Sequence, residues 1–207
     1  MGVPRSLPER VYLLAYNPDK GKVGSGTHLG AMLRAATLAD LYLGGHLTDE
    51  RGRATIHVRR PCDDPVLDAL LEEIAAAKPH AWQSWINHRQ GATFRAVRRH
   101  LDVGGWVHLR PHKILGLFPA TRVTIRDPRV RDELVGRVNA VLHEPFDSID
   151  PADAALVAIV TAADLDLVLD RKAKRANKQR IQEVTELSGP IGPALRKSIQ
   201  AAAVGEV

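Results

Sequence analysis

Leu33-Arg34-Ala35, Gly44-Gly45 and Asp64-Pro65 return further along the chain as Phe94-Arg95-Ala96, Gly104-Gly105 and Asp127-Pro128. In each copy an apolar helical run leads from the arginine to the glycine pair, a strand pair follows, and Asp-Pro opens another helix. Order and chemistry match, with one-residue offsets inside the copies, which makes this a weak internal repeat. Each copy sets an arginine early in a helix that otherwise faces a core, and the second adds Arg98 one turn after Arg95. Arginine is costly to bury without a partner, and its planar fork suits bidentate contact with phosphate or carboxylate. Either internal acids satisfy these side chains or an anionic ligand does.

Outward from the repeat, apolar spacing predicts helices over residues 29–43, 64–77, 81–88, 92–103, 127–142, 151–169, 172–187 and 189–204. Residues 6–9 read as a capped helix start and 11–16 as a strand before the turn Asn17-Pro18-Asp19-Lys20-Gly21. One hairpin is expected over 46–58 and a longer one over 106–125. No low-complexity linker divides the chain. The expected fold is mainly α: a single globular helical domain over 1–207 with two short β-hairpins, the second protruding.

The chain has 207 residues, 44% hydrophobic and 26% charged, with only 4% aromatic. That composition fits a soluble globular protein with a substantial core, built by helix packing rather than as a β-sandwich. One cysteine, Cys62, excludes an internal disulfide framework. No basic-then-apolar leader opens the sequence, and its longest apolar span, 154–163, is too short for a bilayer. A cytoplasmic location is expected. The net charge of +5 and pI near 9.6 favour anionic partners. Basic residues crowd over 89–137 and 171–180, while acids gather over 63–73 and 147–170.

No catalytic constellation emerges, so no enzyme is expected. His108 and His112 have the spacing of helical metal ligands, but Pro111 and the strand context spoil it, and no third ligand stands at a telling distance. Neither a metal nor any other cofactor is expected. Cys62, between a proline and two aspartates, reads as an inert thiol. Gly21-Lys22-Val23-Gly24-Ser25-Gly26-Thr27 lacks the order of a Walker loop. It reads instead as a loop before a helix N-terminus, where amides and Ser25 favour anions. Carboxylate pairs such as Asp63-Asp64 and Glu72-Glu73 read as caps and solvated faces. Trp82 and Trp85, three apart on a helix, read as core. The second hairpin's tip carries Ile114, Leu115, Leu117 and Phe118 beside Lys113 and Arg122. Such a tip either meets another subunit or a bilayer, or folds back over its own core.

At Arg34, Arg95 and Arg98 the sequence resembles the Golgi phosphoprotein 3 family, in a bacterial, actinobacterial-looking branch. The resemblance runs through Val11-Tyr12-Leu13-Leu14, residues 30–47, Asp64-Pro65-Val66-Leu67, Trp85-Ile86, residues 94–101 and residues 153–160. It implies a mainly helical peripheral membrane protein that binds phosphatidylinositol 4-phosphate and self-associates through a protruding hairpin. By the same resemblance the head-group pocket falls on Arg34, Arg95 and Arg98, and the family's pocket tryptophan falls near Ser25.

Two functions are therefore expected in order. The first is a non-catalytic adaptor on an anionic phospholipid surface, cytoplasmic and peripherally membrane-associated, homo-oligomeric through its second hairpin, with room for an unidentified protein cargo. The second is nucleic-acid binding through tandem winged-helix-like units. It is the weaker, because the first candidate recognition helix, 29–43, is almost wholly apolar and offers few side chains to base edges.

Overall fold

Asp-Pro pairs start three of the helices, and the carboxylates act as caps. The structure, a computed structural model, describes residues 2–24, 28–114 and 118–205, of which 112–114 and 118–120 by backbone alone. Asp64 opens α3 (Pro65–Ala75) by accepting from the Val66 and Leu67 amides, Asp127 opens α6 (Pro128–Ala140) by accepting from Arg129, and Asp150 opens α7 (Pro151–Ala162) by accepting from Ala152. In each the proline fills a first-turn position that needs no amide hydrogen. Asp170 caps the short α8 (Arg171–Ala176) in the same way, through the Ala173 amide.

The remaining helices are α1 (Leu7–Leu14), α2 (Leu29–Leu43), α4 (Trp82–Asn87), α5 (Gln90–Val103), α9 (Lys178–Leu187) and α10 (Ile191–Gly205). Helix α2 is the axis of the fold. It is apolar almost all round, and it is enclosed by α1, α3, α4, α5, α7 and α10. Leu33, Ala35, Ala36, Leu38 and Leu41 are inaccessible to water there. Helix α7 is nearly as deeply buried, from Ala154 to Val160.

The strands form small antiparallel sheets: β1 (Tyr16–Asn17) with β2 (Lys22–Val23), β3 (Leu47–Glu50) with β4 (Arg53–Ile56) and β5 (His80–Ala81), and β6 (Val107–Ile114) with β7 (Phe118–Ile125). In the last pair Val107 faces Ile125, and the ladder runs in register to Ile114 opposite Phe118. Its base is anchored in the core by Val107, Val123 and Ile125. Beyond Leu109 the described rungs, Arg110 with Arg122 and Pro111 with Thr121, are exposed, so the hairpin leaves the body of the protein.

The repeat is structural as well as sequential. At both glycine pairs the helix ends in the same way: His46 donates to the Leu41 carbonyl (2.8 Å) and Trp106 to the Leu101 carbonyl (2.9 Å). These are Schellman closures, and they need a left-handed residue after the cap. Gly45 (φ 72°) and Gly105 (φ 76°) supply it.

Three expectations change. Residues 11–16 lie mostly in α1 rather than in a strand. A short apolar run cannot be assigned by periodicity alone, and here Leu7, Val11 and Leu14 share one buried helical face. The helix expected over 151–169 ends at Ala162, followed by Asp164 in a left-handed conformation (φ 50°). The helix expected over 172–187 divides at Asn177 into α8 and α9. The mainly helical, single-domain expectation holds.

Candidate anion-binding site

Arg98 belongs to a basic cavity. The turn between β1 and β2 places Lys20, Gly21, Lys22 and Val23 against α5, and β7 closes the far side with Thr121, Arg122 and Val123. The cavity measures about 400 Å³. Gly21, with φ 57°, makes the turn that brings the two lysines to its rim. Among the described residues none of Lys20, Lys22, Arg98 and Arg122 forms an ion pair. Four uncompensated cations in one concavity reinforce one another's field and concentrate anions there.

Its floor is aromatic. The Phe94 and Tyr12 rings lie tilted with centroids 5.8 Å apart, and the Arg98 guanidinium carbon sits 5.4 Å from the Phe94 centroid. That cation–π contact steadies the arginine head without consuming its N–H donors. Tyr12 is 1% exposed, and among the described residues its hydroxyl has no hydrogen-bond partner. Burial raises the phenol's pKa, offset in part by Arg98, so Tyr12 stays a neutral donor at physiological pH.

The other arginine of the repeat goes elsewhere. Arg34 is 2% exposed and does not line this cavity. It donates from Nε to the Trp85 carbonyl (3.1 Å), from Nη1 to Thr93 Oγ1 (3.4 Å) and from Nη2 to Glu73 Oε2 (3.0 Å). Burial lowers its pKa, and the Glu73 carboxylate works against that shift. Of the two alternatives posed by the sequence, an internal acid has taken Arg34. The single pocket expected from Arg34, Arg95 and Arg98 is corrected accordingly: a guanidinium this deep needs a fixed carboxylate at all times, and α3 provides one. Arg95 is exposed on α5, with Nη1 directed back toward Gly91, and it does not line the cavity. Ser25 lies outside the described residues, two positions after Val23. Of the hairpin tip, Ile114 and Phe118 pair at the strand ends, while Leu115 and Leu117 lie outside the described residues.

Lys20, Lys22 and Tyr12 were not legible as site residues. The turn containing the lysines is plain in the sequence, but its docking against α5 is a tertiary fact. Arg122 was legible only as a flank of the hairpin.

A second, acidic cavity of about 720 Å³ lies on another face of α5. It is lined by Glu9, Asp40, Asp64 and His100, which sits two residues from Arg98 and so faces away from it. His100 Nδ1 lies 3.4 Å from Glu9 Oε1 and 3.8 Å from Asp64 Oδ2. Burial raises the pKa of Glu9, against the pull of the Ser6 hydroxyl and His100. Burial also pushes Asp40 up to about 7, although its carboxylate accepts from the Leu7 amide (2.7 Å) and feels Arg10. Cys62 borders this cavity with Sγ 3.6 Å from His46 Nε2, and burial, then Asp68, pushes its thiol up to about 12. Among the described residues no group of three or more His, Cys, Asp or Glu is arranged to hold a metal ion, and no helix is long and apolar enough to cross a membrane.

The model of one family, described as Golgi phosphoprotein 3 (GPP34), matches residues 7–202. No curated protein matches the chain.

Proposed function

The chain belongs to the Golgi phosphoprotein 3 family, and from that premise we propose that it is a non-catalytic adaptor that holds a phosphorylated lipid head group of the phosphatidylinositol 4-phosphate kind in the cavity around Arg98. One observation carries the proposal: Lys20, Lys22, Arg98 and Arg122 converge on one concavity without an ion pair among the described residues. Tyr12 and Thr121 also line it. Three or four charge-assisted contacts at roughly 1.5–3 kcal/mol each give a gross attraction near the 8 kcal/mol of micromolar binding, before association costs are subtracted. The head group alone therefore binds weakly. Basic residues close to an anionic leaflet add about 1 kcal/mol each, and self-association multiplies the grip through avidity. The protein then works at a cytoplasmic membrane face, with nucleic acid outside its range and with room for a protein cargo.

Flotation with vesicles containing phosphatidylinositol 4-phosphate, beside a DNA mobility shift over the same salt series, tests this reading. Expected is co-flotation that survives moderate salt and needs the phosphorylated lipid. Stable DNA complexes without flotation would overturn it.

The second hairpin is the proposed self-association element. Deleting residues 113–119 is expected to reduce the mass seen by light scattering to that of a monomer. Unchanged oligomeric mass would remove the hairpin from this role.

A further inference from the structure

The acidic cavity and the basic one share helix α5 as a wall. His100 borders the first and Arg98 the second. Two positions apart on one helix, their backbones lie within about 6 Å of each other.

The acidic side is assembled from several elements. Helix α1 supplies Glu9, α2 supplies Asp40, and Asp64 caps α3. His100 comes from α5 and stands between two of these carboxylates, 3.4 Å from Glu9 and 3.8 Å from Asp64. Asp63 adds a carboxylate ahead of α3, and His46 adds an imidazole after α2. Cys62 borders the same space, but its thiol, pushed up to about 12, is uncharged near neutrality. The nearby cations are Arg5 in the N-terminal segment and Arg10, which is turned to the Pro4 carbonyl (2.8 Å) and Asp153 (3.6 Å). Among the described residues no lysine or arginine forms an ion pair with Glu9, Asp40, Asp63 or Asp64. Their ion-pairing partner there is His100, and only while its imidazole is protonated.

This cluster changes charge across neutrality. Histidine side chains switch between about pH 5 and 8. Asp40, buried and beside Asp64 and Glu9, takes up its proton as pH falls through about 7. From pH 8 to pH 6 the cluster therefore loses negative charge, while the lysines and arginines of the basic cavity keep theirs. The two cavities lie on opposite sides of one helix, a separation comparable with the Debye length of about 10 Å. Across protein rather than water, a charge placed on one side is felt on the other.

We propose that the acidic cluster tunes the anion affinity of the basic cavity with pH. Ionised, it offsets the field of Arg98 and its neighbours. Protonated at His100 and Asp40, it frees that field, and the cavity holds its anion more tightly. The inference rests on the basic cavity being an anion site and adds the regulation of that site.

Sulfate is the probe, because it stays a dianion from pH 6 to pH 8. Binding to the full chain is read from the backbone amide shifts of Lys22 and Arg98 at constant ionic strength. Expected is a midpoint about fivefold lower at pH 6 than at pH 8. Neither Asp40 nor His100 lines the basic cavity. In Asp40→Asn/His100→Gln the two midpoints should agree within about twofold, and the one at pH 8 should fall below that of the wild type. Damage to the fold would raise it instead. Asp40→Asn alone, with an amide in place of the protonated carboxyl, should lower the pH 8 midpoint in the same direction should the double variant not fold. No saturable shift at either pH would remove the anion site and its regulation together. Saturable binding with equal wild-type midpoints, or a variant that keeps the wild-type dependence, would overturn the regulation and leave the anion site standing.

Discussion

Glu73→Gln is expected to lower the stability of the folded chain by roughly 3–5 kcal/mol, the usual cost of stripping a buried charge of its counter-charge. The side chain of Arg34 is 3% exposed and cannot reach water when Glu73 is neutralised. Arg34→Met is expected to cost clearly less. It removes the buried charge itself, leaves Glu73 paired with the exposed Arg89, and strands only the Thr93 hydroxyl, since the Trp85 carbonyl still accepts from the His88 amide. The double variant should be less destabilised than the two single losses added together, because the second change relieves what the first leaves behind. Urea unfolding of the four proteins decides this. Equal, sub-kilocalorie losses for both single variants would mean that the pair contributes little. The folded Arg34→Met protein should also retain vesicle binding, since Arg34 does not line the basic cavity.

Asp40→Asn should stabilise the chain at alkaline pH and change little at acidic pH. The folded-state pKa of Asp40 is raised to about 7 from the ordinary 3.8, with burial as the main cause and Asp64 and Glu9 as lesser ones. A raised value means that the folded state holds the proton more tightly than the unfolded state. The stability linked to that proton is complete below pH 3.8 and is lost as pH rises through about 7. At full ionisation the loss amounts to roughly 4 kcal/mol, at 1.36 kcal/mol per pH unit. Asparagine mimics the protonated carboxyl and does not ionise, so the gap between variant and wild type should open from about pH 4 and level off just above pH 7. Thermal unfolding at a series of pH values reads it. A gap that is constant with pH would mean that Asp40 titrates normally in the folded protein.

Local rules were legible in the sequence, and long-range pairing was not. The glycine pairs and Asp-Pro starts announced themselves because Schellman closures and N-caps are settled within six residues. Arg34 and Arg98 look alike in sequence: each lies early or midway in a helix with apolar neighbours. Their fates differ because α3 brings Glu73, 39 residues downstream, to the first, whereas the second meets an aromatic floor and two lysines from a distant turn. Asp64 was legible as a helix cap and serves as one. Its second position, beside His100 and across from Glu9, depends on how α1, α3 and α5 meet. Trp85 was read as core, which it is.

On the proposed reading one cavity, rather than the net charge of the chain, holds the anionic head group. Lys22→Gln/Arg98→Gln removes two charges from that cavity. Lys172→Gln/Arg175→Gln removes two exposed charges from α8, where neither residue has an ion pair among the described residues. Both variants end with the same net charge. Measured side by side on vesicles containing phosphatidylinositol 4-phosphate, the cavity variant should lose at least about a hundredfold in affinity, as expected for two charge-assisted contacts, while the α8 variant loses at most about thirtyfold, the limit set by about 1 kcal/mol for each charge near the leaflet. Equal losses for the two would mean that the cavity is not the head-group site.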